Sequence, residues 1–266
     1  MSATLPLYDL PELQAATDAW WAAIAAALGR HGVPGVPAAL TRGPDVIALW
    51  GDVGLVFAQI CGYPLQRWFA DRLLVVATPC VRARGCVGPT YRSLLVVPAS
   101  SQVSSLEALR GARCAVNEPA SHSGMNALRG HLARHARDGR FFGEVSWSGS
   151  HRRSLELLAA GDVDLAAIDC ITYALLGKIA PTLIAASRVI GETEPAPGPP
   201  YVIPRRAAEA RPRVLAALRE VMADPGLADV RDALLLDDVE LLTDEDYHGF
   251  LTLEADAARL GYPEVG

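Results

Sequence analysis

No stretch of the 266-residue chain is apolar for long enough to cross a membrane: the longest run, AWWAAIAAAL at 19–28, is half the ~20 residues that a spanning helix needs. A run of that length suits a core-facing helix. Basic residues are the minority, 24 Lys and Arg against 30 Asp and Glu, for a formal charge of −6. No Lys/Arg-rich block interleaved with aromatics occurs, so nucleic acid is not an expected partner. A secretory leader would put Lys or Arg ahead of the 19–28 run, but Asp9, Glu12 and Asp18 stand there and the first basic residue is Arg30. As written, the chain is expected in the cytoplasm, or in the periplasm if its start is truncated. CxxC spacing is also missing. Five cysteines, Cys61, Cys80, Cys86, Cys114 and Cys170, form an odd set in which at least one thiol stays free, and neither a metal nor a cofactor is expected. There is no internal repeat.

What is present is the composition of an α/β protein, 51% apolar and 20% charged, in a chain long enough for one large unit or for two lobes of roughly 130 residues. ATLPLY (3–8) reads as a strand. The helix that follows repeats Leu13, Thr17, Trp20, Trp21, Ile24 and Leu28 at three- and four-residue intervals, with Asp9 as its cap and Gly29 as its stop. Apolar runs at 54–60, 72–79 and 93–99 have the length of buried strands. A serine-rich stretch, ASSQVSS (99–105), reads as a crossing into a second lobe, where strands and helices alternate: RCAVNEP, the helix of SHSGMNALRGHL, FFGEVSW, the helix of SHRRSLELLAAG, and DVDLAAID ending at Asp169. The Pro/Gly-dense segment GETEPAPGPPYVIP (191–204) reads as the return, and the remainder as mostly helical, with a Thr243/Asp246 capping box. The expected division is residues 1–98 and 198–266 in lobe one, and 99–197 inserted as lobe two. A cleft between lobes is the usual place for a small ligand.

Several polar groups sit where such a ligand would be met. With Ser121 as N-cap, His122, Ser123 and Gly124 occupy a first helical turn, where backbone N–H groups lack intrahelical partners and the dipole presents partial positive charge. An ordinary N-cap explains Ser121 equally well. His151 opens the next helix beside Ser148 and Ser150. Asp169 ends an apolar strand, where a carboxylate either faces a ligand or caps the helix starting near Cys170. His131 and His135 are four residues apart but lack the glutamate and third ligand of a metal motif, and read as helix surface.

Taken together, QICGYPL (59–65), GCVGPTYRSLLVV (85–97), SLEALRG, VNEPASHSGMNALR, SGSHRRSLELLAAGDVDLAAIDCITYALL and PGPPYVIP resemble the phosphonate/phosphite/phosphate substrate-binding proteins of ABC transporters. They span most of the chain in the family's order. The resemblance implies a two-lobed type II periplasmic-binding fold, each lobe a mixed β-sheet flanked by helices, with two hinge crossings. It also implies a small anionic ligand held by a Ser/Thr-Ser-Gly helix start, a histidine, acidic residues and aromatics. Here those become Ser121, His122, Ser123, Gly124, His151 and Asp169, with Tyr8, Tyr63 and Tyr91 as the nearest aromatics. His122 stands where the family tends to carry threonine. The resemblance further places Cys61 and Cys86 close enough for a disulfide in an oxidising compartment. The function it implies is non-catalytic binding of a phosphonate, phosphate or similar solute in an interlobe cleft, with an ABC permease as partner. The alternative is an enzyme on the same frame, acting on a small carboxylate or cofactor precursor with His122, His151 or Asp169 as acid and base.

Overall fold

The computed structural model describes residues 1–266, which divide into two compact units. The first comprises Met1–Arg82, Val87–Pro89 and Pro197–Tyr247; the second comprises Ala83–Cys86, Thr90–Ala196 and His248–Gly266. The chain therefore passes between units within the polar loop at 82–90, in the Pro/Gly stretch at 196/197, and again at 247/248.

These boundaries differ from those expected. The serine-rich 99–105 segment lies within the second unit, because the strand before it, Ser93–Pro98, already pairs there, antiparallel to Leu165–Asp169 and to Ser187–Glu192. Residues 248–266 join the second unit as well. Their helix, Gly249–Arg259, closes on Ala127–Leu132 so tightly that a Cβ on Gly130 would lie 2.3 Å from Leu253 Cδ1.

In the first unit a five-stranded mixed sheet runs in the order Ser2–Thr4, Leu55–Gln59, Tyr201–Pro204, Leu73–Val81, Leu236–Glu240. Only the first pair is parallel. The helix Gln14–Arg30 turns Thr17, Trp20, Trp21, Ile24, Ala27 and Leu28 inward, the spacing that its sequence shows. Both tryptophans pack with Phe57, Tyr201, Val214 and Leu218. Trp20 Nε1 donates to Tyr201 Oη at 3.0 Å, so the buried indole keeps its hydrogen bond. Asp9 is not the cap of this helix. Its carboxylate takes the Arg42 guanidinium in a charge-assisted bond at 2.6 Å instead, and the helix is entered through a 3-10 turn at Pro11–Leu13. Leu236–Glu240, in the part of the chain read as mostly helical but ahead of its Thr243/Asp246 capping box, is a strand. A register shift between Leu236 and Asp238 breaks its alternation, leaving only Leu236 and Val239 buried.

The second unit's sheet runs Glu144–Trp147, Arg113–Val116, Leu165–Asp169, Ser93–Pro98, Ser187–Glu192. The first three strands are parallel. Their carboxyl ends share one edge of the sheet, and each feeds a helix start: His122–Asn126 running on into Ala127–Leu132, then His151–Ala160, then Cys170–Ile179. Ser93 begins its antiparallel strand opposite Asp169, and so reaches the same edge.

Candidate functional site

That shared edge gathers most of the residues singled out in the sequence. Ser121 is an N-cap: its Oγ accepts from Gly124 N at 3.2 Å. The turn is wider than an α-helical one, since Asn126 N bonds back five residues to Ser121 O at 3.1 Å, and the main chain runs as a π-helix from His122 to Asn126. The amides of His122 and Ser123 precede this first main-chain bond. Ser123 is buried; its carbonyl accepts from Ser93 Oγ at 2.7 Å, and its own Oγ stands 2.9 Å from His151 Nε2.

His151 reaches this serine because its helix starts directly after the neighbouring parallel strand, with Ser150 Oγ accepting from Arg153 N as cap. Its Nδ1 is closed off from solvent. Burial pushes the ring down to about 4, against the pull of the Ala167 carbonyl, so it is neutral at pH 7.

Asn117, one residue beyond the strand Arg113–Val116, completes the group and was not singled out from the sequence. A Cβ on Gly124 would lie 1.8 Å from Asn117 Oδ1, so only glycine lets the amide sit against the turn. Asn117 Oδ1 is buried with no hydrogen-bond partner, while its backbone carbonyl accepts from Gly149 N at 2.8 Å and ties the first two strand ends together. The available signal was a polar residue directly after an apolar strand, inside the quoted VNEPASHSGM.

His122 turns out differently from expectation, and Asp169 takes one of its two open readings. His122 points into the unit's own packing: the residue is 4% exposed, its ring meets Phe250 edge-on at 4.4 Å, and Nδ1 pairs with Asn126 Nδ2 at 3.2 Å. Burial, helped by the Arg129 charge, holds it at about 3, so it brings no positive charge to the turn. Asp169 caps its own helix, accepting from Ile171 N at 2.7 Å and Thr172 N at 3.4 Å.

Tyr91 belongs to this unit and packs 6.0 Å from the His122 ring. Tyr63 is buried against Trp68 in the first unit, where Tyr8 is partly exposed. The disulfide expected between Cys61 and Cys86 is not formed. All five cysteines are thiols, Cys61 belongs to the first unit, and the sulfur beside Cys86 is that of Cys170.

The two enclosed histidines set an acid limit on stability. Each has a folded pKa below the ordinary 6.5, so the unfolded chain binds more protons between about pH 4 and 6.5; the stability conferred by the neutral rings is complete above 6.5 and is lost as pH falls. With both rings contributing, the unfolding free energy should drop by up to about 2.7 kcal/mol per pH unit across that window. Urea unfolding at a series of pH values measures this, and His151→Gln should roughly halve the slope. A flat profile from pH 6.5 to 4 would mean that the rings are solvated in the folded protein.

Two mixed α/β units, each with helices beside a five-stranded sheet, and polar helix starts gathered at the carboxyl edge of one sheet, define the class: a type II periplasmic-binding-protein fold. The chain belongs to the phosphonate-binding family, periplasmic substrate-binding proteins of ABC transporters, whose family pattern matches residues 4–247. Proteins of this family bind substrate for transport and are not enzymes, which removes the catalytic alternative. Similar solved structures include a binding protein component of an ABC phosphonate transporter from Pseudomonas aeruginosa (17% identity, 97% of this chain and 87% of that one, TM-score 0.81). Another is PhnD1 from Prochlorococcus marinus in complex with methylphosphonate (14%, 97% and 98%, TM-score 0.76). A third is the alkanesulfonate-binding protein SsuA from Xanthomonas axonopodis pv. citri bound to MOPS (18%, 97% and 92%, TM-score 0.64). No curated protein matches the chain. No helix is long and apolar enough to cross a membrane.

Proposed function

We propose that this chain is the solute-binding component of an uptake system for a phosphonate or a closely related tetrahedral oxyanion, which it delivers to a membrane permease. The ligand's charged head docks at the carboxyl edge of the second unit's sheet, on the Ser121–Gly124 turn, the Ser123–His151 pair and Asn117. Ionised oxygens meet the amides of His122 and Ser123 and the Ser123 hydroxyl, which favour negative charge at a helix start.

The observation that carries this reading is Asn117 Oδ1, a buried acceptor without a partner, set against Gly124 beside the Ser123–His151 pair. An unsatisfied buried acceptor costs about 1–3 kcal/mol, and a ligand that brings a hydrogen-bond donor removes that cost. A singly charged phosphonate carries an ionised oxygen for the turn and a protonated one for Asn117. A sulfonate has the same tetrahedral shape but no proton to give. The methylphosphonate-bound and sulfonate-type relatives make this comparison the informative one.

Calorimetric titration should therefore show one site that takes methylphosphonate roughly 10-fold or more tightly than methanesulfonate. Equal affinities would remove Asn117 from the site, and absence of binding to methylphosphonate, phosphate and methanesulfonate alike would reject the oxyanion reading.

A further inference from the structure

We infer that Cys86 and Cys170 are a redox pair that closes to a disulfide when the protein meets a disulfide oxidant. Their sulfurs are 3.5 Å apart, too far for a bond of about 2.05 Å but near enough that rotation of the two side chains closes the gap. The approach is built into the backbone. Gly85 takes φ +95°, and a Cβ there would lie 3.1 Å from Cys170 Cβ and 3.3 Å from its Sγ, so the loop lies directly on Cys170 only because residue 85 has no side chain. Cys170 N donates to Arg92 O at 3.1 Å and Cys86 N to Ala83 O at 3.0 Å, which fixes both main chains. The other thiols are engaged elsewhere or in the other unit: Cys114 Sγ donates to Ala115 O, Cys80 Sγ to Glu240, and Cys61 lies in the first unit.

Accessibility sets the order of events. Cys86 is partly exposed whereas Cys170 is 1% exposed, so an oxidant of the glutathione-disulfide class reaches Cys86 first. The Cys86 sulfur attacks one sulfur of the oxidant and forms a mixed disulfide, and the other half leaves as a thiol carrying the Cys86 proton. Cys170 then attacks the Cys86 sulfur, and the second glutathione leaves with the Cys170 proton. Two protein thiols are oxidised and one disulfide is reduced to two thiols. In the reduced protein the hydrogen bond to Cys86, followed by burial, holds the Cys170 thiol far above its ordinary range; burial persists after Cys86 is capped, so this second step is the slow one.

The product joins positions 84 apart in sequence and pins the 83–86 segment of the second unit beside Asp169, at the edge described above. A link across so long a loop restricts the unfolded chain strongly. The full chain, incubated with glutathione disulfide, alkylated and digested with trypsin, should yield peptide 85–92 joined to peptide 154–178, lighter by two hydrogens and separated by reduction. The oxidised protein should melt roughly 5–10 °C above the reduced one, and Cys86→Ser should abolish both the link and the shift. Cys61→Ser should leave both intact. Recovery of peptides 85–92 and 154–178 as separate alkylated species, capture of glutathione on Cys86 without closure, or a link from Cys86 to Cys61 would each overturn the inference.

Discussion

Replacing Ser123 and His151 together by alanine is expected to weaken methylphosphonate binding by roughly 10²–10⁴-fold, because in the proposed binding mode each side chain takes part in holding a charged ligand and such hydrogen bonds contribute about 1.5–3 kcal/mol apiece. The two act as one device: Oγ and Nε2 are 2.9 Å apart, so removing either leaves the other without its partner, and the single variants should each account for most of the loss. The fold has little reason to change. The Ser123 carbonyl keeps its bond from Ser93 Oγ, Ser121 still caps Gly124 N, and the His151 helix retains Ser150 as its cap. Calorimetry on the double variant, with its melting curve as control, is the measurement. Affinity within threefold of the parent protein would place the ligand elsewhere.

Arg129→Met should lower the unfolding free energy by about 3–5 kcal/mol, the usual penalty for removing one partner of a buried charged network. Arg129 is 5% exposed. Its guanidinium donates to Asn126 Oδ1 at 2.5 Å and to Pro263 O at 2.9 Å, and it faces Glu254 at 3.7 Å. Asn126 in turn donates to Phe250 O at 3.1 Å, so this cation joins the helix behind the Ser121 turn to the C-terminal helix and to the segment after it. Methionine fills the volume but takes the donor away from Asn126 Oδ1 and Pro263 O and the positive charge away from Glu254. Arg129→Lys keeps the charge and loses the fork, and should fall between the two. A loss under 1 kcal/mol for Arg129→Met in urea unfolding would show that the C-terminal helix docks by apolar contact alone.

Which parts of the site were legible follows from the range of the interactions involved. Ser121 as N-cap, the helix start at His151 and the strand end at Asp169 are local events, decided by a few residues, and all three could be read directly. Asp169 had two open readings, and the structure shows its carboxylate capping Cys170–Ile179. His122 looked equivalent to Ser123 in a linear motif; the wide turn and the arrival of Phe250 from more than a hundred residues away put it inside. Nothing near Asp9 announced Arg42, and nothing near Leu236 announced the bulge that hides its strand.

The sequence by itself determined the α/β class, the tryptophan face of the first long helix and the polar character of the helix starts. Apolar spacing and capping chemistry act within one or two turns, and each segment carries them whatever its surroundings. Only the tertiary structure decided that Ser123 faces His151, that Asn117 rests on Gly124, that Cys86 meets Cys170 rather than Cys61, and that the last nineteen residues belong to the second unit. Those pairings join residues far apart in the chain. They follow from strand order and helix packing, which bring segments together by burying shared apolar faces and leave no local trace of which partner will arrive.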